Sequence, residues 1–324
     1  METYLALGGP AAALARTSVV RGPIAVRDYS LLFYAESDAF PAPALIKICL
    51  GARTGEPDSE AAQRQYNALA RVHKAMMPAP EFSVPQPYFV RPDVALLAME
   101  WIGGVNAAKK AFSWGSSAKR AEAYLARCAT WLRMFHGCGR RAPAHLDMQE
   151  RLPILEQLSD CPVRDDAFHD GLRQLHHSAD AAAATALPRA WIHGDFTADN
   201  VILSGSRTIG IDLHIEHENA VVYDLAAFLN NMTLSLCEPG GWLLARSHVR
   251  LRDAFLRTYC QGETDRMETA VAWVQLYMAL QQWRSARQRT DRALRRGFLD
   301  FEYRRLTCDL VRRLATQATG RRIR

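Results

Sequence analysis

Short apolar runs broken by glycine and proline fill the first hundred residues, and apolar stripes at helical spacing fill most of the rest. Thr17 to Arg21, Ser30 to Ala35 and Ala44 to Leu50 read as strands, separated by Gly22-Pro23 and by Pro41-Ala42-Pro43. Residues 58–77 read as a helix with Ala61, Gln65, Leu69, Val72 and Met76 on one face. Pro85-Gln86-Pro87 then breaks the chain. Tyr88 to Arg91 and Ala95 to Trp101 predict a hairpin turning at Pro92-Asp93. Past Gly103 the pattern is helical. The spacing predicts helices over 117–137, from Leu146 to Leu158 with a break at Pro153, from Asp166 to Ala184, and through most of Gly241 to Ala318. Trp273, Leu276, Tyr277, Leu280 and Trp283 form a core stripe within the last of these.

One stretch interrupts the helical part. Residues 191–192, 201–203 and 209–211 are short apolar strands, and the loop between the first two carries Asp195 and Asn200. The third strand ends on Asp212. A hairpin of this kind brings the three polar residues to one end of a small sheet. Phosphoryl transfer needs a carboxylate to position and deprotonate a hydroxyl, and hard oxygen ligands to hold a divalent ion against the phosphates. Those residue types supply both. Upstream, Lys47 stands alone in an otherwise apolar strand, where a buried ammonium requires an anionic partner.

His193-Gly194-Asp195 with Asn200, followed by Ile211-Asp212, resembles the aminoglycoside phosphotransferase and choline kinase group. The resemblance covers the chain almost end to end. It implies an α+β, two-lobed protein-kinase-like fold, with a β-rich nucleotide lobe over 1–102, a hinge at about 98–103, and a helical lobe over 103–324. It implies Asp195 as catalytic base, and Asn200 and Asp212 as ligands of Mg²⁺. Lys47 would hold the phosphates of ATP or GTP, and adenine would meet backbone groups of Met99, Glu100 and Trp101. The family places a glutamate on the helix at 58–77 to pair with the lysine. Gln65 stands at that position here, and Glu60 is the other candidate. His193 and Asp224 are implied as supports of the catalytic loop. Glu216 and Glu218 would lie near the mouth of the acceptor site. No GxGxxG loop is present, since Gly8-Gly9 and Gly22 do not form one.

Composition and charge narrow the picture modestly. The chain has 324 residues, 49% hydrophobic and 23% charged, as expected of a soluble globular protein of one large domain or two lobes. Its apolar runs are too short to span a membrane. The seven cysteines are scattered without CxxC spacing and read as reduced thiols of a cytoplasmic protein. Of the net charge of +6, residues 284–324 contribute +9, and the rest of the chain is at −3. No aromatic-interleaved basic motif points to nucleic acid. His136 reads as a capping or packing group, and Asp165, Asp166 and Asp170 as acids at a helix start. The expected reaction is transfer from a nucleoside triphosphate to a small-molecule hydroxyl. The alternatives are a choline- or ethanolamine-type kinase, a kinase of an envelope sugar, and a nucleotide-binding pseudokinase, the last suggested by Gln65 and the missing glycine loop.

Overall fold

The computed structural model describes residues 19–27, 29–37, 40–51, 54–160, 163–213, 218–236, 241–261, 267–289 and 293–318. The chain divides into two compact units. The first takes residues 1–105 and 202–216, and the second takes 106–201 and 217–324. The hairpin ending on Asp212 thus counts with the first unit. The reason lies in local pairing. Strand Arg207–Gly210 runs parallel to Phe82–Ser83 with Thr208 opposite Phe82, and Thr208 N donates to Glu81 O at 2.7 Å.

In the first unit, five strands lie in the order β1-β2-β3-β6-β5. They are β1 (Val19–Arg27), β2 (Ser30–Glu36), β3 (Ala44–Cys49), β5 (Pro87–Arg91) and β6 (Leu96–Glu100). A second sheet, in the order β4-β11-β10-β7, holds β4 (Phe82–Ser83), β7 (Val105–Asn106), β10 (Val201–Ser204) and β11 (Arg207–Gly210). Strand β1 is longer than expected and runs through Gly22-Pro23. The ladder absorbs them by a register shift between Arg21 and Ala25, as an edge strand can. Along β3, Ala44, Ile46 and Ile48 turn to a core with Phe33, Ala35, Leu96 and Ala98. Strand alternation puts Lys47 on the opposite face with Cys49, which packs on Ala62 of α1 (Ser59–Met76). Asp58 caps α1, its carboxylate accepting from Ala61 N at 2.8 Å.

The second unit is mainly helical. Its helices are α2 (Ala107–Ala111), α3 (Ala118–Cys138), α4 (Met148–Ser159), α5 (Asp166–Ala183), α6 (Val222–Ser235), α7 (His248–Cys260), α8 (Glu268–Arg289) and α9 (Ala293–Ala318). A small sheet in the order β12-β9-β8 is built from β8 (Arg141–Ala144), β9 (Leu187–Trp191) and β12 (Glu218–Ala220). The strand before Asp195 is therefore in a different sheet from β10 and β11, and the expected single hairpin is two structures. Helix α4 continues through Pro153 where a break was expected. Proline removes one backbone bond there, and Asp147 offsets this at the helix start by accepting from Gln149 N and Glu150 N. The core stripe Trp273, Leu276, Tyr277, Leu280 and Trp283 on α8 is fully buried. Among the described residues, no helix is long and apolar enough to cross a membrane.

Candidate active site

The loop after β9 is fastened to one buried carboxylate. Asp224, 1% exposed at the start of α6, accepts from His193 N at 2.6 Å through Oδ2 and from Gly194 N at 3.0 Å through Oδ1. Gly194 has φ 86°, a left-handed conformation that a side chain would strain. Burial pushes the Asp224 carboxyl up, but the His136 hydrogen bond, the His136 and His193 charges and the His193 amide outweigh it. The group is held below the usual carboxylate range.

His136 is part of this fastening. Its Nε2 lies 3.0 Å from Asp224 Oδ2 and its Nδ1 lies 2.7 Å from the Tyr259 hydroxyl. Burial raises the Tyr259 phenol, so the hydroxyl keeps its proton. His136 Nε2 donates to the Asp224 carboxylate, which can only accept, and Nδ1 shares a hydrogen bond with the Tyr259 hydroxyl. The run Tyr259, His136, Asp224, loop amide thus joins α7, α3 and α6 to the loop. Sequence reading took His136 for a helix-end packing group and did not find Tyr259. His136 lies 88 residues before Asp224 and 123 before Tyr259, so no local pattern marks the run.

An apolar wall holds the loop from the other side. Phe196, fully buried, stacks on Trp131 at 5.6 Å and on Phe228 at 5.2 Å. The His193 ring meets Phe196 edge-on at 5.5 Å. Within the loop, Asn200 Nδ2 donates to Asp195 O at 2.8 Å and to Asp195 Oδ2 at 3.2 Å. Asn106, the cap of α2, donates to Asp199 Oδ1 at 2.9 Å. Asp195 and Asn200 are therefore brought together on a loop held through the His193, Gly194 and Asn200 amides and the Phe196 ring.

The first unit holds the other polar pair. Lys47 Nζ lies 2.9 Å from Asp212 Oδ1, with the lysine side chain 12% exposed and the aspartate 43%. Asp212 sits at φ 58°, a conformation that aspartate tolerates better than most residues. Lys47 thus pairs with Asp212 rather than with Gln65 or Glu60. Gln65 Oε1 instead accepts from Cys49 Sγ at 3.8 Å, and Glu60 pairs with Arg64 one turn along α1.

Other expected positions are occupied differently. Glu100 N donates to Gln86 O and Trp101 N to Pro43 O, both at 2.8 Å, so these two N–H groups are spent within the protein. The Glu100 carboxylate accepts from Arg207 and from Gln86 N. Met99 is buried in the ladder opposite Leu45 and Pro87. Glu218 lies on β12 with its carboxylate on Arg141. Glu216 lies outside the described residues. Asp165 caps α5, accepting from Ala167 N, and Asp170 pairs with Arg173.

Residues 52–273 match the sequence model of the phosphotransferase enzyme family. The chain belongs to that family. No curated protein matches this phosphotransferase. Among solved structures, it is similar to a choline/ethanolamine kinase family protein from Mesorhizobium loti, at 17% identity and TM-score 0.63 over 97% of this chain and 96% of that one. It is similar to an amicoumacin kinase in complex with AMP-PNP, Ca²⁺ and Ami, at 11% identity and TM-score 0.58 over 88% and 87%. A glucosamine kinase in complex with glucosamine, ADP and inorganic phosphate aligns at 15% identity and TM-score 0.57 over 92% and 81%. At these identities the likeness is one of fold: the phosphotransferase has the α+β fold of the small-molecule kinases.

Proposed function

We propose that this phosphotransferase transfers the terminal phosphoryl group of a nucleoside triphosphate to a hydroxyl of a small molecule, with Asp195 as the base. The observation that carries this reading is the Asp195–Asn200 loop, held at its own backbone by the buried Asp224. A carboxylate so fixed can accept a hydroxyl proton in one geometry, which is most of what phosphoryl transfer asks of a protein. Asp195 takes the proton while the acceptor oxygen bonds to phosphorus and the bond to the nucleoside diphosphate breaks. Lys47 is the residue for the nucleotide phosphates.

The donor set fits a hard divalent cation, because Asn200 and Asp212 both offer oxygens and Asp212 is half-exposed. Such an ion neutralises charge on the phosphates when bound. The amicoumacin kinase with AMP-PNP and Ca²⁺ supports a nucleotide and a divalent ion for this chain too. Lys47 and Asp212 pair with each other in this structure, so nucleotide phosphates would compete with Asp212 for Lys47, and a divalent ion with Lys47 for Asp212. This also answers the substitution at Gln65: the lysine has an anionic partner without a glutamate on α1. With Glu218 engaged by Arg141, the case for a cationic acceptor loses one of its two carboxylates.

The test is acceptor-dependent ADP release with Mg·ATP over aminoglycosides, choline, hexoses and amino sugars, beside thermal shifts with ATP in the presence and absence of Mg²⁺. The reading expects a Mg²⁺-dependent shift and turnover with one acceptor class. Absence of any nucleotide-induced shift would overturn it.

A further inference from the structure

The second unit carries a cavity of about 220 Å³ that shares no residue with the catalytic loop. Helices α6, α7 and α9 and the 3-10 turn at Trp242–Ser247 wall it. It is smaller than the roughly 300–1,000 Å³ of pockets for drug-sized ligands, and suits a compact group. Arg246, Arg305 and Arg312 line it with His248, Thr233 and Asp309. Among the described residues none of these three arginines has a carboxylate partner. Arg312 Nε donates to Cys308 O at 3.1 Å, which leaves its terminal nitrogens available. The one carboxylate in the wall, Asp309, is taken by Arg313 at 2.7 Å.

The surroundings record an excess of positive charge. His248, with Nε2 on the Thr233 hydroxyl at 2.9 Å, is lowered to about 4 by burial and then by Arg313, with Arg252 and Arg305 adding to the effect and Asp309 opposing it. Burial and the Arg252 charge likewise lower the Arg313 guanidinium. Three guanidiniums facing one concavity repel each other until an anion bridges them, and the guanidinium fork matches phosphate oxygens two at a time.

We propose that this cavity binds a phosphate group through Arg246, Arg305 and Arg312. The phosphate comes either on a soluble monoester or on a lipid headgroup. Val249, 58% exposed, lines the cavity, and Trp242 and Leu243, 56% and 50% exposed, lie on the 3-10 turn that forms part of its wall. That apolar rim gives the headgroup source a physical basis.

The experiment uses the full chain saturated with Mg·ADP, so that the catalytic site is filled. Binding of inorganic phosphate and of glycerol 3-phosphate is followed by calorimetry and thermal shift against chloride at equal ionic strength. Sedimentation with phosphatidylcholine vesicles, with and without phosphatidylglycerol, forms the second arm. Each is repeated with Arg246→Gln/Arg305→Gln, whose changes are at exposed positions, and with Arg312→Gln alone. Saturable binding of the soluble phosphates, weakened about tenfold or more by the double variant, supports the proposal with a soluble ligand. Binding confined to the anionic vesicles and lost in the same variants supports it with a headgroup. Absence of binding in both arms, or binding that all variants retain, overturns it.

Discussion

Replacing Asp224 by asparagine changes little in shape and much in what the Asp195–Asn200 loop rests on. The carboxylate accepts from His193 N, Gly194 N and His136. An asparagine can keep its oxygen toward His193 N and His136, but its NH₂ then faces the Gly194 N–H, donor against donor. One charge-assisted bond is lost, worth about 1.5–3 kcal/mol, and a buried donor is left unsatisfied at about 1–3 kcal/mol. The sum, about 2.5–6 kcal/mol, corresponds to a fall in melting temperature of about 5–24 °C for a unit of this size. Displacement of the loop by about 1 Å lowers kcat about 100-fold in addition. The pH dependence supplies the sign. Asp224 is held below the usual carboxylate range, so its stabilisation is complete above the unfolded-state value of about 4 and is lost as pH falls through the lower native value. Thermal denaturation of wild type and Asp224→Asn between pH 7 and 3 should therefore show a constant gap that narrows only at the acid end. A variant melting within about 1 °C of wild type at pH 7, or a gap that widens on acidification, would refute the reasoning.

Tyr259→Phe removes only a hydroxyl and leaves His136 Nδ1 without its 2.7 Å partner. The expected cost is about 1–3 kcal/mol, read by denaturant titration, with helical content unchanged by circular dichroism. Gly139→Ala places a Cβ 2.4 to 2.9 Å from the Trp191 indole, and the overpacking should destabilise by about 1–3 kcal/mol in the same titration. His248, lowered to about 4, favours the folded state in its neutral form. Its stabilisation is full above about 6.5 and is lost as pH falls toward 4, by at most about 3 kcal/mol. His248→Asn should flatten that part of the stability profile, and an unchanged slope would show that another group causes it.

What the sequence made legible was local. The helix over 58–77, the helical stripe of α8 and the turn at Pro92-Asp93 each depend on residues within a few positions of one another. The twofold strand pattern around Lys47 gave its sheet position and its need for an anion, but not the anion. Asp212 is 165 residues away, and the nearer candidates Gln65 and Glu60 drew the inference instead. Sheet membership was illegible for the same reason. Trp191 and Val201 flank one loop, yet β9 pairs with β12 and β8 while β10 pairs with β11. The hinge segment was read from exposed alternation, and the N–H groups of Glu100 and Trp101 turned out to be spent on Gln86 and Pro43, residues that only the folded chain brings near. His136 and Tyr259 could have been suspected only as buried polar groups in search of partners.

The central claim is that Asp195 accepts the proton of the acceptor hydroxyl. Asp195→Asn keeps the size of the side chain and removes its basicity, so steady-state turnover of the variant with Mg·ATP and the preferred acceptor tests the claim most directly. The account predicts a loss of kcat of about 10²–10⁴-fold with nucleotide affinity nearly unchanged, because the interaction is made only in the transition state. Turnover at the wild-type rate would contradict it.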